Sequence, residues 1–509
     1  MATQRFEFGA FVFDSGRKIL LKHGKPVAVG QKCLTLLEAL LAAEGRVVSK
    51  SDLMDAAWQT LNVEESNLSV QIAALRKCLG NSGSGEEWIA TVQRVGYQFV
   101  YHGESKELPV SQSLLSAPQF SDDKPSIAVL PFLNIGSDPE QDYFADGLAE
   151  DLITDLSKVP GLTVIARHSS FAYRGKQMDI RQIARELGVR YVVEGSVRRS
   201  ATHVRINTQF IDATDNSHIW ADRFDGDLTD IFQLQDEVIR KIVDALSDVL
   251  PAAHPTPKRR PLNIEAYDLF AKGRALSMLS PEGNKSARPL LERACGLEPS
   301  FAEAHAWLAM NMLFGWMYCY QENSCEKVMA LARRAVLLDP ANADAHVVLG
   351  YVLIFGGAGD LAGGREQIEI ALKLNPNHAD AWIFLADLEV LEGRSQDAVR
   401  SGRIAFQLNP HPPSYYYWLF SWILYAARRY EEVVETFRQD EGRTIGSQRN
   451  SAGALAQLGR LDEAREMARQ FLLAVPQFTI SSWAATLPFR DPRDRQHFID
   501  GYLMAGLPI

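Results

Sequence analysis

Cysteine is scarce and scattered, with Cys33, Cys78, Cys295, Cys319 and Cys325 the five present in 509 residues. No Cys-x-x-Cys pair or Cys/His cluster occurs, which excludes a zinc module and leaves reduced thiols in a cytosol as the expectation. Long apolar runs are missing as well. Nothing approaches the ~18 uninterrupted apolar residues of a membrane span, and Arg5, Glu7 and Asp14 break up the beginning of the chain. Neither a membrane helix nor a signal peptide is expected. There is no HExxH, no G-x-S-x-G and no paired metal motif, and the glycine-rich run at 356–364 lacks the lysine of a phosphate-binding loop. The chain is therefore expected not to be an enzyme and to hold no cofactor or metal. Positive charge is in deficit, with 53 Lys+Arg against 63 Asp+Glu and a formal net charge of -10. A protein that coats nucleic acid by overall charge is excluded, so any such binding must come from a local patch.

What is present divides into three textures, and 509 residues leave room for roughly three domains of ~150 residues. The most telling stretch is 63–99, which reads as a helix followed by a β-hairpin. Leu68, Ile72, Leu75 and Leu79 recur at helical spacing and form one buried face. The other face carries Ser66, Val70, Ala73, Ala74 and Lys77, flanked by Asn67, Ser69 and Arg76. Side chains that are small, polar, or cationic toward the C-terminal end let such a face enter a major groove without steric or charge penalty. Upstream, strand-like runs at 6–13, 19–22 and 26–29 are separated by turn signals at 14–16 and 23–24. A helix from Gln31 carries Leu34, Leu37 and Leu41 inward and is expected to stop at Gly45, and Ser49 is placed to cap a further helix. In the hairpin the apolar members are Trp88, Ile89, Val92, Val95, Tyr97 and Phe99.

The string Leu68-Ser69-Val70-Gln71-Ile72-Ala73-Ala74-Leu75-Arg76-Lys77-Cys78-Leu79, followed by Gly96-Tyr97-Gln98-Phe99, resembles the OmpR/PhoB-type winged helix over roughly the first 100 residues. The resemblance implies a DNA reader. It places Ser66, Asn67, Ser69, Val70, Ala73 and Ala74 near base edges or adjacent phosphates, gives Arg76 and Lys77 to the DNA backbone, and puts Gln93 or Arg94 where the family's wing cation enters the minor groove. Alanine at 73 and 74 departs from the family, in which arginine is frequent there. The first 103 residues hold 11 Lys+Arg against 10 Asp+Glu, a near balance that favours two copies side by side on DNA.

After a Gly/Ser/Pro/acid-rich linker at 104–124, the texture over 125–250 becomes α/β. A buried strand at 127–132 precedes a helix lined by Phe144, Leu148, Leu152 and Leu156; a strand at 163–166, a helix at 180–187, strands from 191, 204 and 218, and a helix at 229–246 follow. The phrases S-I-A-V-L-P-F, Y-F-A-D-G-L-A-E-D-L, Y-V-V-E-G-S-V-R and W-A-D-R-F-D resemble the domain related to the TolB N-terminal region. Asp146, Glu150 and Asp151 read as acids of a first helical turn favoured by the macrodipole. Arg167-His168-Ser169-Ser170 reads as a loop, since residues adjacent in sequence do not make a triad.

A second linker at 251–262 carries four prolines around Lys258-Arg259-Arg260, and beyond it 263–509 is helical and repetitive. Prolines 299, 340, 376, 410 and 476 close similar phrases at intervals of 41, 36, 34 and 66, the last about twice 33. A period near 34 implies tetratricopeptide repeats. Ala-rich first helices open at 301, 343 and 379, and Gly393 and Gly459 supply tight turns. Trp307, Trp382, Trp418 and Trp422 are expected to be packing residues. Such repeats resemble peptide-binding scaffolds.

The expected fold is multidomain: an α+β winged helix at 1–103, an α/β domain at 125–250 and an all-α helical-repeat solenoid at 263–509. The layout resembles HilA-like regulators, and differs from membrane-anchored CadC-like ones in lacking an apolar span. The chain begins with the winged helix, so no phospho-receiver domain is expected. The expected function is a soluble, cytoplasmic, one-component transcriptional regulator. Its expected partners are double-stranded DNA, a protein or peptide on the repeats and a second copy on DNA, with no membrane. The alternative is a scaffold whose winged helix makes protein contacts.

Overall fold

The computed structural model describes residues 5–8, 11–14, 19–22, 25–27, 29–42, 48–58, 65–80, 88–92, 96–99, 124–136, 141–176, 178–200, 202–227, 231–246, 263–277, 281–317, 325–356, 359–440 and 442–509. They fall into two compact units, 1–111 and 112–509. The linker at 251–262, nearly all of that at 104–124, and the expected features at Gly45, Gln93, Arg94, Val95 and Cys319 lie outside the described residues.

The first unit opens with an antiparallel sheet of β1 (Arg5–Phe8), β2 (Phe11–Asp14), β3 (Ile19–Lys22) and β4 (Lys25–Pro26). The single strand expected at 6–13 is two strands, paired Phe6 to Phe13 and Phe8 to Phe11. The run reads Phe-Glu-Phe-Gly-Ala-Phe-Val-Phe, nearly symmetric about its centre, and only a weak Gly-Ala signal marks the reversal. Helix α1 (Gln31–Ala42) buries Leu34, Leu37 and Leu41 as expected. After β5 (Val48–Ser49), the Ser49 hydroxyl accepts from the Asp52 N–H at 3.1 Å and caps α2 (Lys50–Trp58). Next come α3 (Glu65–Leu79), β6 (Ile89–Val92) and β7 (Gly96–Phe99), with β7 between β5 and β6. A Cβ on Gly96 would lie 1.9 Å from the Val48 carbonyl oxygen, so the glycine lets β5 pair with the hairpin.

In the second unit β8 (Ser126–Val129), β9 (Leu133–Asn134), α4 (Asp142–Leu156), β10 (Thr163–Val164), α5 (Arg167–Phe171), α6 (Ile180–Leu187), β11 (Tyr191–Arg199), β12 (His203–Asp212), β13 (Ser217–Asp227) and α7 (Ile231–Ala245) build an α/β layer. The sheet order is β10-β8-β11-β12-β13, with β9 also on β11; β8 is parallel to both neighbours and the last three strands are antiparallel. Phe144, Leu148, Leu152 and Leu156 of α4 pack with Val193, Ile206 and Phe210 on one face. Leu187 and Ile183 of α6 pack with Ala128 and Val192 on the other. The expected loop at 167–170 is the helix α5, too short for its periodicity to show.

The remainder is a stack of antiparallel helix pairs: α8 (Ile264–Ser277) with α9 (Pro281–Leu297), α10 (Ala302–Met317) with α11 (Cys325–Leu338), α12 (Ala343–Phe355) with α13 (Leu361–Leu374), α14 (Ala379–Leu391) with α15 (Ser395–Leu408), α16 (Ser414–Ala426) with α17 (Tyr430–Gln439), and α18 (Ile445–Gln457) with α19 (Leu461–Ala474). Helices α20 (Ile480–Ala485) and α21 (Pro492–Met504) close the stack. Gly393 and Gly459 take the left-handed conformation (φ 79° and 76°) at the pair turns, where glycine carries no Cβ penalty. The glycine-rich run is part of the α12–α13 pairing: a Cβ on Gly364 would lie 2.4 Å from Ile354 Cγ1. Trp422 is buried and stacks on Phe498, with centroids 4.0 Å apart, whereas Trp307, Trp382 and Trp418 are only partly buried against the cores.

Although sequence texture separates the α/β layer from the repeats, one core runs through both, from α4 and α7 into Tyr267 and Phe270 of α8 and Phe301 and Leu308 of the next repeat. Polar contacts reinforce it. Arg274 of α8 is buried, forms an ion pair with Glu150 at 3.1 Å, and donates to Asp151 at 2.9 Å and to the Gly147 carbonyl at 3.2 Å. Burial disfavours its charge, but the Glu150 and Asp151 carboxylates outweigh that and hold its pKa above the ordinary range. Asp146, Glu150 and Asp151 are therefore not acids of a first turn. Helix α4 begins at Asp142, and the three sit deeper in it, paired with Arg174, with Arg167 and Arg274, and with Arg274 respectively.

The edge strand β10 is covered by the inter-repeat loops. Asn377 accepts from the Val164 N–H at 3.2 Å and donates to the carbonyls of Ser157 and Leu162, both at 2.9 Å. The Ala166 N–H donates to the Leu408 carbonyl at 2.7 Å. Ser169 donates to Asn409 at 2.6 Å and accepts from the His411 N–H at 2.8 Å, which makes it a cross-link. The phrases that mark the repeat period thus also satisfy a sheet edge that would otherwise stand open. Behind them lies a cavity of about 160 Å³ bordered by Glu303, Asp344 and Asp380, each in the first turn of a repeat's first helix. His378 Nε2 meets Asp344 at 3.0 Å; burial disfavours the imidazolium, yet the carboxylate outweighs it and raises the His378 pKa. His168, on the same cavity, is held neutral by burial and by Arg167, with its pKa pushed down to about 4.

Candidate nucleic-acid interface

Helix α3 is pinned by its apolar stripe. Leu68, Ile72, Leu75 and Leu79 are all buried against α1 and the hairpin, each contributing about 1.5–3 kcal/mol by leaving water. Their burial fixes the rotation of the helix, and at 3.6 residues per turn it directs Val70, Ala73, Ala74 and Lys77 away from the core. These four, with Asn67 and Ser69, are exposed, and Val70 is 61% exposed although it is apolar. A bare valine and two alanines between short polar side chains form a low-relief surface that a groove wall can approach closely. Ser66 lies in α3, but its side chain and the wing-tip residues Gln93 and Arg94 are outside the described set.

Arg76 is placed differently from Lys77. It flanks the buried stripe, and its Nε and Nη2 donate to the Ile89 carbonyl at 3.0 and 2.7 Å, while Nη2 also reaches Thr91 Oγ1 at 2.8 Å. The guanidinium ties the end of α3 to β6. In the structure Arg76 thus orients the wing against the helix, beside the DNA-backbone contact that the resemblance alone implies. Sequence reasoning missed this. The available signal was helical phase, since Arg76 follows Ile72 by one turn whereas Lys77 falls opposite the stripe.

Sequence reasoning also missed how the helix is seated from behind. The Cys33 thiol donates to Gln71 Oε1 at 3.0 Å, linking α1 to α3. Burial raises the pKa of Cys33 and of Cys78, so both remain thiols. Trp88 stacks on Phe99 at 5.9 Å between centroids and stiffens the base of the hairpin. Lys32 holds the Ala57 carbonyl at the end of α2.

Residues 24–99 match the family described as "Transcriptional regulatory protein, C terminal". The first unit carries an OmpR/PhoB-type DNA-binding domain. Residues 122–241 match "HilA/YgeH-like transcriptional regulator, second domain", so this OmpR/PhoB-type domain is joined to a HilA-like one. Among curated relatives, the chain is 49% identical over 219 residues to "Putative adenylate cyclase 3" of Rhizobium meliloti (strain 1021), covering 42% of this chain and 37% of that protein. It is 31% identical over 132 residues to "Transcriptional regulator HilA" of Salmonella typhi, covering 26% of this chain and 22% of that one. The chain thus spans well under half the length of these relatives. A thermophilic tetratricopeptide protein of Thermus thermophilus aligns with 47% of this chain and 99% of its own at 19% identity and a TM-score of 0.26. The repeat architecture is carried by the helix pairs and their sequence period. No helix among the described residues is long and apolar enough to cross a membrane.

Proposed function

We propose that the chain is a sequence-specific, DNA-binding transcriptional regulator that works in the cytoplasm without a membrane anchor, and that it is not an enzyme. The observation that carries this is α3: its leucine stripe is buried, and an uncharged, low-relief face ending in Lys77 is left bare in a domain of the OmpR/PhoB type. Asn67, Ser69, Val70, Ala73 and Ala74, with Ser66, are the residues proposed to meet base edges or adjacent phosphates. Lys77 and Arg76 hold the backbone, and Gln93 or Arg94 enters the minor groove. Base contacts specify and phosphate contacts position, so the two ends of one helix divide the work.

Two copies on adjacent sites fit the near balance of charge in the first 103 residues. The segments 104–124 and 251–262 are proposed as connections, and the repeats as the part that receives a protein partner or relays a signal. Genome-wide mapping of DNA fragments bound by the intact chain tests the reading. A shared sequence motif under the bound sites is expected; enrichment of none would favour a scaffold whose winged helix makes protein contacts.

A further inference from the structure

The sheet of the second unit has two unlike faces. Tyr191, Val193 and Val197 of β11 and Ile206 and Phe210 of β12 enter the core beneath α4 and α7. Alternate positions point the other way, as strand geometry requires, and carry Glu194 and Ser196 opposite Gln209 and Asn207. All four are half-buried. They floor a crevice of about 660 Å³, walled by the segment that follows β8 and by the turn after α5, which bears Arg174 and Lys176.

The position of the crevice follows from topology. From β8 the chain passes through α4 on one face to β10, then through α6 on the opposite face to β11, on the other side of β8. The two connections diverge, and a cleft opens at the carboxyl ends of the parallel strands, where open α/β sheets bind their ligands. Its volume lies within the usual range of roughly 300–1,000 Å³ for small-molecule sites.

The chemistry narrows the ligand. Asp142 is taken up by the Asn134 amide at 2.8 Å, Asp146 pairs with Arg174, and Asn207 donates to Ser196 at 3.1 Å. Among the described residues, the side chains of Glu194 and Gln209 have no hydrogen-bond or ion-pair partner. The Lys176 ammonium lies over the Tyr173 ring at 5.3 Å and forms no ion pair among the described residues, while the Tyr173 hydroxyl donates to Glu186 at 2.8 Å. With Asp142 taken up by Asn134 and Asp146 paired with Arg174, Glu194 is the carboxylate of the floor and favours a positive group, while the rim offers the Lys176 ammonium to a negative one.

We propose that this crevice binds a small zwitterionic amine, a free amino acid or short peptide, with its ammonium on Glu194 and Gln209 and its carboxylate on Lys176. Leu130, Met178 and Ile183 supply apolar wall for the ligand's side chain. Tyr173, also in the wall, hydrogen-bonds to His411 of the repeats at 2.9 Å, so an occupied crevice bears on the joint between layer and repeats. The site stands independently of the DNA-binding reading.

Titration calorimetry of the full chain against each of the twenty common L-amino acids and dialanine, to about 10 mM, tests this. Saturable binding of at least one probe is expected, weakened about tenfold or more by Glu194→Gln and by Lys176→Ala, and lost when the probe is N-acetylated. Unchanged thermal unfolding of the two variants shows that their folds are kept. Absence of saturable binding by every probe, or binding indifferent to N-acetylation and to both substitutions, overturns the proposal.

Discussion

Arg274 of the first repeat helix donates to Asp151 of α4 at 2.9 Å, across 123 residues of sequence, and both side chains are largely withdrawn from water. Removing one partner of such a pair leaves a buried charge uncompensated, which costs far more than the pair contributes. Arg274→Ala is expected to lower the stability of the full chain by about 3–5 kcal/mol in urea unfolding. A loss under about 1 kcal/mol, the worth of a surface pair, would contradict the burial of this contact.

The same joint bears on proteolysis. Linkers are the usual sites of nicking, and 251–262 is rich in proline and basic residues. Because one core spans both sides of it, cleavage there is expected to leave two fragments that co-elute on gel filtration. Cleavage within 104–123 is expected to release the first unit, which has a core of its own. Separation of the fragments cut at 251–262 would show the layer and the repeats to be independent.

Arg428 occupies the turn between α16 and α17 with φ 60°, the place that Gly393 and Gly459 fill in neighbouring repeats. The backbone bonding matches too: Arg429 N to Leu424 O repeats Arg394 N to Glu389 O and Arg460 N to Leu455 O. A side chain held in the left-handed region costs roughly 1–2 kcal/mol, partly offset by the greater freedom of glycine in the unfolded chain. Arg428→Gly is therefore expected to stabilise by about 0.5–1 kcal/mol, read as a higher thermal midpoint. A lower midpoint would mean that the arginine's own contacts outweigh the strain.

Asp387 lies buried between the first helices of three successive repeats, facing Tyr351 and Trp422. Burial raises its pKa from 3.8 to about 7, against the lowering effect of Tyr351 and Trp422 beside it. Well below pH 4 the carboxyl is neutral in folded and unfolded chains alike. As pH rises toward 7 the unfolded chain releases the proton first, so this group's contribution to stability is lost across that window. Asp387→Asn is expected to remove the loss, and its advantage over the parent should grow between pH 4.5 and 7 by on the order of 1–4 kcal/mol. An advantage constant with pH would contradict the raised pKa.

How much of this was legible depended on whether the signal was local. The seating of α3 followed from four residues at helical spacing, and the repeats from proline phrases near a period of 34, because both patterns recur along the chain. The Arg274–Asp151 joint was not legible, since its partners are 123 residues apart and each alone looks like an ordinary surface charge. Helix α5 has five residues, too few to show a period. The reversal between β1 and β2 hid in aromatic alternation that continues on both sides. At the interface, exposure of Val70 and Lys77 came directly from the period, whereas the bond from Arg76 to Ile89 required the hairpin's position in space.

The central claim is that the N-terminal part of α3 reads bases while Lys77 holds phosphate, and a salt titration of DNA binding by Asn67→Ala and Lys77→Ala against a specific and a scrambled duplex tests it most directly. Both residues are exposed, so neither substitution disturbs the core. Lys77→Ala is expected to weaken binding to both duplexes alike and to reduce the salt slope by about one unit, as loss of one phosphate contact should. Asn67→Ala is expected to cost ~1–3 kcal/mol on the specific duplex and little on the scrambled one. Equal losses for Asn67→Ala on the two duplexes would contradict the assignment of that helix end to sequence readout.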